Sequence, residues 1–321
     1  MKKVIASVLA TGALVGCASG PQTIRLNGAG ATFPAPLYQS WFATLARSGG
    51  PQVNYQAVGS GSGVRQFNAD TLDFGASDKA IKDGNERPVV QIPMTGGAIV
   101  PAYNNPGCEL RITQKQLADI FLGNITTWEQ VGCNGGTIKV VYRSDGSGTT
   151  AGWTASLSAF SPEWAEEVGS GKAVAWPVGV GAKGNSGVAG QIKNAPGSIG
   201  YLNYGFIING KTQQARIQNK EGNYVQASEE TSAEGLSRII LDDQLRGSDP
   251  NPSGANSYPI VSLTWILAYP EHEKNDTMKE VFTFMLSEET QSTSDSLGYV
   301  PLPESIRVQA LKVVELSLIH I

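Results

Sequence analysis

Histidine is almost missing from this chain. Of its 321 residues only His272 and His320 carry an imidazole, the first in a charged stretch and the second one position from the end. Neither a Ser–His nucleophile pair nor a histidine-bearing metal cluster is therefore suggested, and no enzyme is expected. An excess of basic residues is missing as well: Lys and Arg number 24 against 28 Asp and Glu, giving a net charge of −4. No basic stripe is visible, which excludes a nucleic-acid surface, because phosphate-backbone binding leans on clustered Lys and Arg. An anionic ligand would have to be held by local dipoles and a buried cation rather than by the overall field. Membrane-length apolar runs are also absent from the N-terminus: the run from Val4 to Val15 covers about 12 residues, short of the ~20 that a spanning helix needs. Only three cysteines occur.

What is present is a globular composition, 40% hydrophobic and 16% charged, long enough to divide into two domains. Lys2 and Lys3 ahead of the apolar run, followed by Gly16 and Cys17, read as a secretory signal over residues 1–16. Leu14-Val15-Gly16-Cys17 resembles a bacterial lipobox, which makes Cys17 the expected lipidated mature N-terminus and a membrane surface the expected location. In an exported protein the two remaining cysteines, Cys108 and Cys133, favour a disulfide over free thiols.

The 38 glycines exceed the usual ~7% share and gather in short runs at element ends. A strand pattern from Gln22 ends in Gly28-Ala29-Gly30-Ala31-Thr32-Phe33-Pro34, and a helix pattern follows from Pro36 to Ala46. The same grammar recurs where Val53 to Val58 meets Gly59-Ser60-Gly61-Ser62-Gly63, and again where Ile138 to Arg143 meets Ser144 to Thr150. Strands that alternate with helices imply an α/β fold with mostly parallel sheets. Further helices are expected at Thr113–Leu122, Pro162–Val168, Gly187–Lys193, Ser232–Leu241 and Met278–Leu286, and no role is assigned to Leu316–Ile321. The long apolar segments Ala98–Tyr103 and Tyr258–Tyr269 read as two crossings between domains. One domain then combines residues 24–103 with 256–315, the other is the insert 104–255, and a cleft lies between them.

A helix N-terminus presents unpaired N–H groups and about half a positive charge, so a glycine turn ahead of it is an anion seat. Taken singly, each of these turns is more often a plain N-cap. Three in one chain, each with a hydroxyl (Thr32, Ser60, Ser147), offer donors to a tetrahedral oxyanion from several directions. Arg143, at the end of its strand, can fork two donors onto such an anion, with Asp145 orienting it. Asp78, after the apolar Asp73-Phe74-Gly75-Ala76-Ser77, suits an anion only if that anion carries a proton to donate. Hydrogen phosphate does and sulfate does not. The alternative for Asp78 is a helix N-cap ahead of Lys79 to Asn85.

Gly28 to Tyr38, Asp73 to Asp78 and Arg143-Ser144-Asp145-Gly146-Ser147-Gly148-Thr149 together resemble the periplasmic phosphate-binding proteins of bacterial ABC importers. Asn54-Tyr55-Gln56, Trp176-Pro177-Val178-Gly179, Gly184-Asn185 and Pro196 to Tyr201 add to the resemblance, which runs from Ile24 to Ala310. It implies a two-lobed, type II binding-protein fold with a two-strand hinge, a monomer without cofactor or metal, and partners in an importer's permease and ATPase. The implied phosphate-binding residues are Thr32, Phe33, Ser60, Asp78, Arg143, Ser147, Gly148 and Thr149, with Asp145 behind Arg143. A receptor for another tetrahedral oxyanion, and a phosphate scavenger without an importer, are the alternatives. The chain departs from the family pattern at Gly61-Ser62-Gly63, at the Cys108/Cys133 pair and after Lys312. A second donor beside Ser60 therefore stays open.

Overall fold

Strands that end in glycine turns and pass straight into helices dominate the fold. The structure is a computed structural model that describes residues 25–82, 87–210 and 212–319. The signal segment and Cys17 lie outside the described residues. The strands are β1 (Arg25–Gly30), β2 (Gln52–Ala57), β3 (Phe74–Ser77), β4 (Val90–Asn104), β5 (Arg111–Ile112), β6 (Lys139–Arg143), β7 (Val180–Ala182), β8 (Ser198–Asn203), β9 (Gln213–Gln214), β10 (Arg216–Gln218), β11 (Tyr224–Val225) and β12 (Val261–Ala268). The main sheet runs β2-β1-β3-β12-β4-β8-β6-β7, with β9 also paired to β4, and β11-β10-β5 form a small second sheet.

Strand β4 is the spine of the two-lobed architecture. Its residues Val90 to Ala98 pair with β12, and Ile99 to Asn104 pair with β8. One lobe therefore grows from each half of a single strand. The outer strands are parallel, β1 with β2 and β3 on one side and β6 with β7 and β8 on the other, as the βα grammar requires. The centre is antiparallel instead. Pro93 sits in β4 and has no N–H to give the ladder, and the register shifts opposite it, between Thr264 and Trp265 of β12.

The expected helices form with shifted ends. Thr113 caps Gln114–Leu122 through a capping box with Gln116. The helix expected from Ser232 runs over Glu229–Leu236, because Ser228 and Thr231 make a capping box that starts it earlier. The end from Leu316, for which no element is expected, is reached by the helix Glu304–Ser317, with Ala310 and Val314 buried, and Ile319 bridges to Glu271. Cys108 and Cys133 are joined by a disulfide with Cα atoms 5.4 Å apart.

Candidate functional site

The three glycine turns predicted as anion seats converge where the lobes meet. Thr32 and Phe33 follow β1 and lead into the helix Ala35–Arg47. Ser60 opens the helix Ser60–Asn68, and Ser147 caps the helix Gly148–Phe160. Thr32, Phe33, Ser60, Asp78, Arg143, Ser147 and Thr149 are all buried.

Tyrosines from outside the turn hold its carbonyls. Tyr55 donates its hydroxyl to Ala31 O and Tyr299 to Phe33 O, both at 2.7 Å, and the Phe33 ring meets the Tyr299 ring edge-on. Both carbonyls are thus satisfied by tyrosine hydroxyls. Among the described residues the Phe33 N–H has no acceptor, and neither do the Gly148 and Thr149 N–H groups, which are the first donors of their helix. The Ser147 hydroxyl accepts from Thr150 N at 3.0 Å and keeps its own proton to give.

Close approach explains two of the glycines. A Cβ on Gly148 would stand 2.6 Å from Asp78 Cβ and 2.7 Å from Ser60 Oγ, across the cleft. Gly59 has φ of 91°, and its Cβ would meet Asp145 Oδ2 at 2.2 Å. The lobes also bond directly, Gly61 N to Gly146 O at 2.7 Å. That bond engages the Gly61 N–H, which is therefore not a free donor beside Ser60.

Arg143 is fixed on three sides. Its Nε and Nη2 fork onto Asp145 at 2.7 and 2.5 Å, its Nη1 reaches Thr149 Oγ1 at 3.5 Å, and its backbone N–H donates to Tyr201 OH at 3.1 Å. Tyr201 is itself clamped, stacked on Trp153 at 4.9 Å and on Trp176 at 5.7 Å. Contacts of this kind contribute about 0.5–1.5 kcal/mol each beyond area burial. Burial pushes the Asp145 carboxyl up, but the hydrogen bonds and charge of Arg143, with the Gly184 N–H at 2.9 Å, outweigh it and hold the group below its ordinary value.

Asp78 behaves oppositely. No helix follows it over residues 79–82, so it is not an N-cap. Its Oδ1 accepts from Thr264 Oγ1 at 3.0 Å and its Oδ2 from Thr149 Oγ1 at 3.2 Å, while Ser60 Oγ accepts from its backbone N–H at 3.2 Å. Burial lifts its pKa from 3.8 to about 6, against the opposing pull of Thr264, Arg143 and Thr149. Two hydroxyl donors do not replace a carboxylate's hydration. The site therefore combines an acceptor poor in partners with converging N–H and O–H donors and one guanidinium. That set matches a tetrahedral oxyanion bearing a proton.

Three neighbours have no role in the sequence reading. Thr264 is one of two hydroxyls, with Ser262, in the buried run of β12, and that polarity is its only signal. Asn185, at the start of the helix Gly184–Asn194, bonds both Thr32 and Thr149. Lys172 accepts the Ser147 N–H on its carbonyl at 2.8 Å, and burial lowers its ammonium while the Asp78 charge pulls it back up. Among the described residues no group of His, Cys, Asp and Glu is placed to hold a metal ion.

Comparison with known proteins agrees with this fold. A family model described as a PBP superfamily domain matches residues 17–289. The chain is 38% identical over 318 residues to the phosphate-binding protein PstS of Pasteurella multocida, covering 90% of each chain. It is 31% identical over 381 residues to the phosphate-binding protein PstS of Methanocaldococcus jannaschii, covering 98% of this chain and 96% of that one. Among solved structures, a phosphate-binding protein from Stenotrophomonas maltophilia shares the fold with a TM-score of 0.71 at 19% identity, covering 90% of this chain and 93% of the other. A putative phosphate ABC transporter substrate-binding protein with bound phosphate, from Clostridium perfringens, gives a TM-score of 0.68 at 17% identity, with 87% and 100% covered.

Proposed function

The chain belongs to the phosphate-binding proteins of the PBP superfamily, and from that membership we propose that it captures one inorganic phosphate between its lobes and delivers it to an ABC-type phosphate import permease. It is a binding protein, not an enzyme. The observation that carries the reading is the junction at Asp78. A buried carboxylate with only hydroxyl partners faces Arg143 and three helix N-termini, and a monoprotonated phosphate complements all of them at once.

In this reading Thr32 donates by its hydroxyl and Phe33 by its N–H. Ser60 donates from the second turn, Asp78 accepts the ligand's proton, and Arg143 donates with Ser147, Gly148 and Thr149. Asp145 holds Arg143 in register. Donors from both lobes are satisfied together only when the cleft is shut, so closure and binding are one event. The protein works outside the cytoplasmic membrane, as a monomer anchored through acylated Cys17, and hands phosphate to the permease and ATPase of the importer. No helix of the described residues is long and apolar enough to cross a membrane.

Calorimetric titration with phosphate tests the reading. One site per chain is expected, with no release of alcohol from phosphate monoesters. A silent titration of verified ligand-free protein would remove the proposal.

A further inference from the structure

Asn185 is fully buried at the N-terminus of the helix Gly184–Asn194. Its amide is engaged on both ends. Nδ2 donates to Thr32 Oγ1 at 2.9 Å and to Thr149 Oγ1 at 3.2 Å, the backbone N–H donates to Thr32 Oγ1 at 3.2 Å, and Oδ1 accepts from Asn203 N at 3.1 Å.

A hydroxyl has two acceptor lone pairs and one proton. Thr32 Oγ1 receives two N–H groups from Asn185, so its acceptor positions are filled and its proton must be given away. Thr149 Oγ1 receives Asn185 Nδ2 and, at 3.5 Å, Arg143 Nη1, and it gives its proton to Asp78 Oδ2 at 3.2 Å. Both hydroxyls therefore have one direction left. Thr32 precedes the helix of one lobe, whereas Asn185 follows β7 of the other. The bonds between them therefore cross from one lobe to the other.

We propose that Asn185 is a positioning residue that sets the polarity of the anion seat on closure: by filling the acceptor positions of Thr32 and Thr149 it aims the Thr32 proton at the ligand and the Thr149 proton at Asp78. The inference rests on the phosphate-binding reading above. It extends that reading from which groups touch the anion to what orients them, and a role in packing alone would leave hydroxyl direction unassigned.

The test is phosphate titration of Asn185→Ala and Asn185→Asp, each in the wild-type and Thr32→Val backgrounds, with thermal denaturation of every ligand-free protein. Asn185→Ala is expected to weaken phosphate binding about tenfold or more, because the freed hydroxyls must be ordered by the ligand itself. Asn185→Asp keeps the acceptor for Asn203 N and the side-chain volume but replaces both Nδ2 donors with an acceptor. It is expected to stay folded and to lose more affinity than Asn185→Ala. In the Thr32→Val background both losses should shrink, that of Asn185→Ala to less than about threefold, since no hydroxyl remains there to aim. Charge repulsion or simple packing would give the same loss in both backgrounds. Equal losses, or Asn185→Asp binding as well as wild type, would overturn the inference while wild-type binding leaves the phosphate reading standing. If Asn185→Ala does not fold, the Asn185→Asp pair decides the question alone. Failure of the wild type to bind phosphate would overturn both readings.

Discussion

Replacing Asp78 with asparagine should let the empty protein close. With the lobes together Asp78 is 4% exposed, and burial lifts its pKa from 3.8 to about 6. When the lobes part, water reaches the group and it titrates near its ordinary value. The closed state then binds the proton more tightly than the open one, so protonation favours closure and ionisation opposes it. The penalty on closing is absent below pH ~4, grows between ~4 and ~6 and is complete above ~6. At neutral pH it amounts to about 3 kcal/mol, a factor of about a hundred in the open–closed equilibrium. In the proposed reading phosphate lifts the penalty by giving Asp78 a proton to accept. Single-molecule distance measurements between labels on the two lobes, without phosphate, provide the assay. The closed fraction of the wild type should rise as pH falls from 7.5 to 4.5, and the closed-to-open ratio of Asp78→Asn should be about a hundredfold higher than that of wild type at pH 7.5 and flat with pH. A wild-type closed fraction that ignores pH, equal to that of the variant, would refute the reasoning.

Two further outcomes concern the ends and the staple. In a bacterial host the mature protein should begin at acylated Cys17, and Cys17→Ser should abolish membrane attachment; an intact mass showing an unmodified chain that starts elsewhere would sink this. The Cys108–Cys133 bridge closes a separation of 25 residues, so Cys108→Ser with Cys133→Ser should cost roughly 3 kcal/mol of stability, read as a lower denaturant midpoint, and an unchanged midpoint would contradict it.

The elements that were legible in the sequence are those built from local signals. Strand, glycine turn and helix succeed one another within a few residues around Gly30, Gly59 and Gly146, so periodicity and turn chemistry suffice to find them. Strand β4 was read only from Ala98, because Pro93 and Gly96-Gly97 interrupt the first half as loop residues would. Only the shifted register of β12 across from Pro93 makes that half a central strand. The same distinction holds at the site. Thr32, Ser60, Ser147 and Arg143 stand at strand ends or helix starts, where sequence shows them. Thr264 and Asn185 act through partners 186 and 153 positions away, Asp78 and Thr32 respectively. Nothing in their immediate neighbours announces that.

Asp78 as the acceptor of the ligand's proton is the centre of the account, and competition between phosphate and sulfate at neutral pH examines it most directly. Sulfate has no proton to give and would leave two negative groups facing each other without water. Even a few kcal/mol of repulsion there corresponds to a hundredfold or more in affinity. Titration of the wild type should therefore favour phosphate by at least about a hundredfold, and in Asp78→Asn, whose amide can turn an N–H toward an unprotonated oxygen, the ratio should fall by at least about tenfold. Comparable affinity of the wild type for both anions, or a ratio that the substitution leaves unchanged, would contradict it.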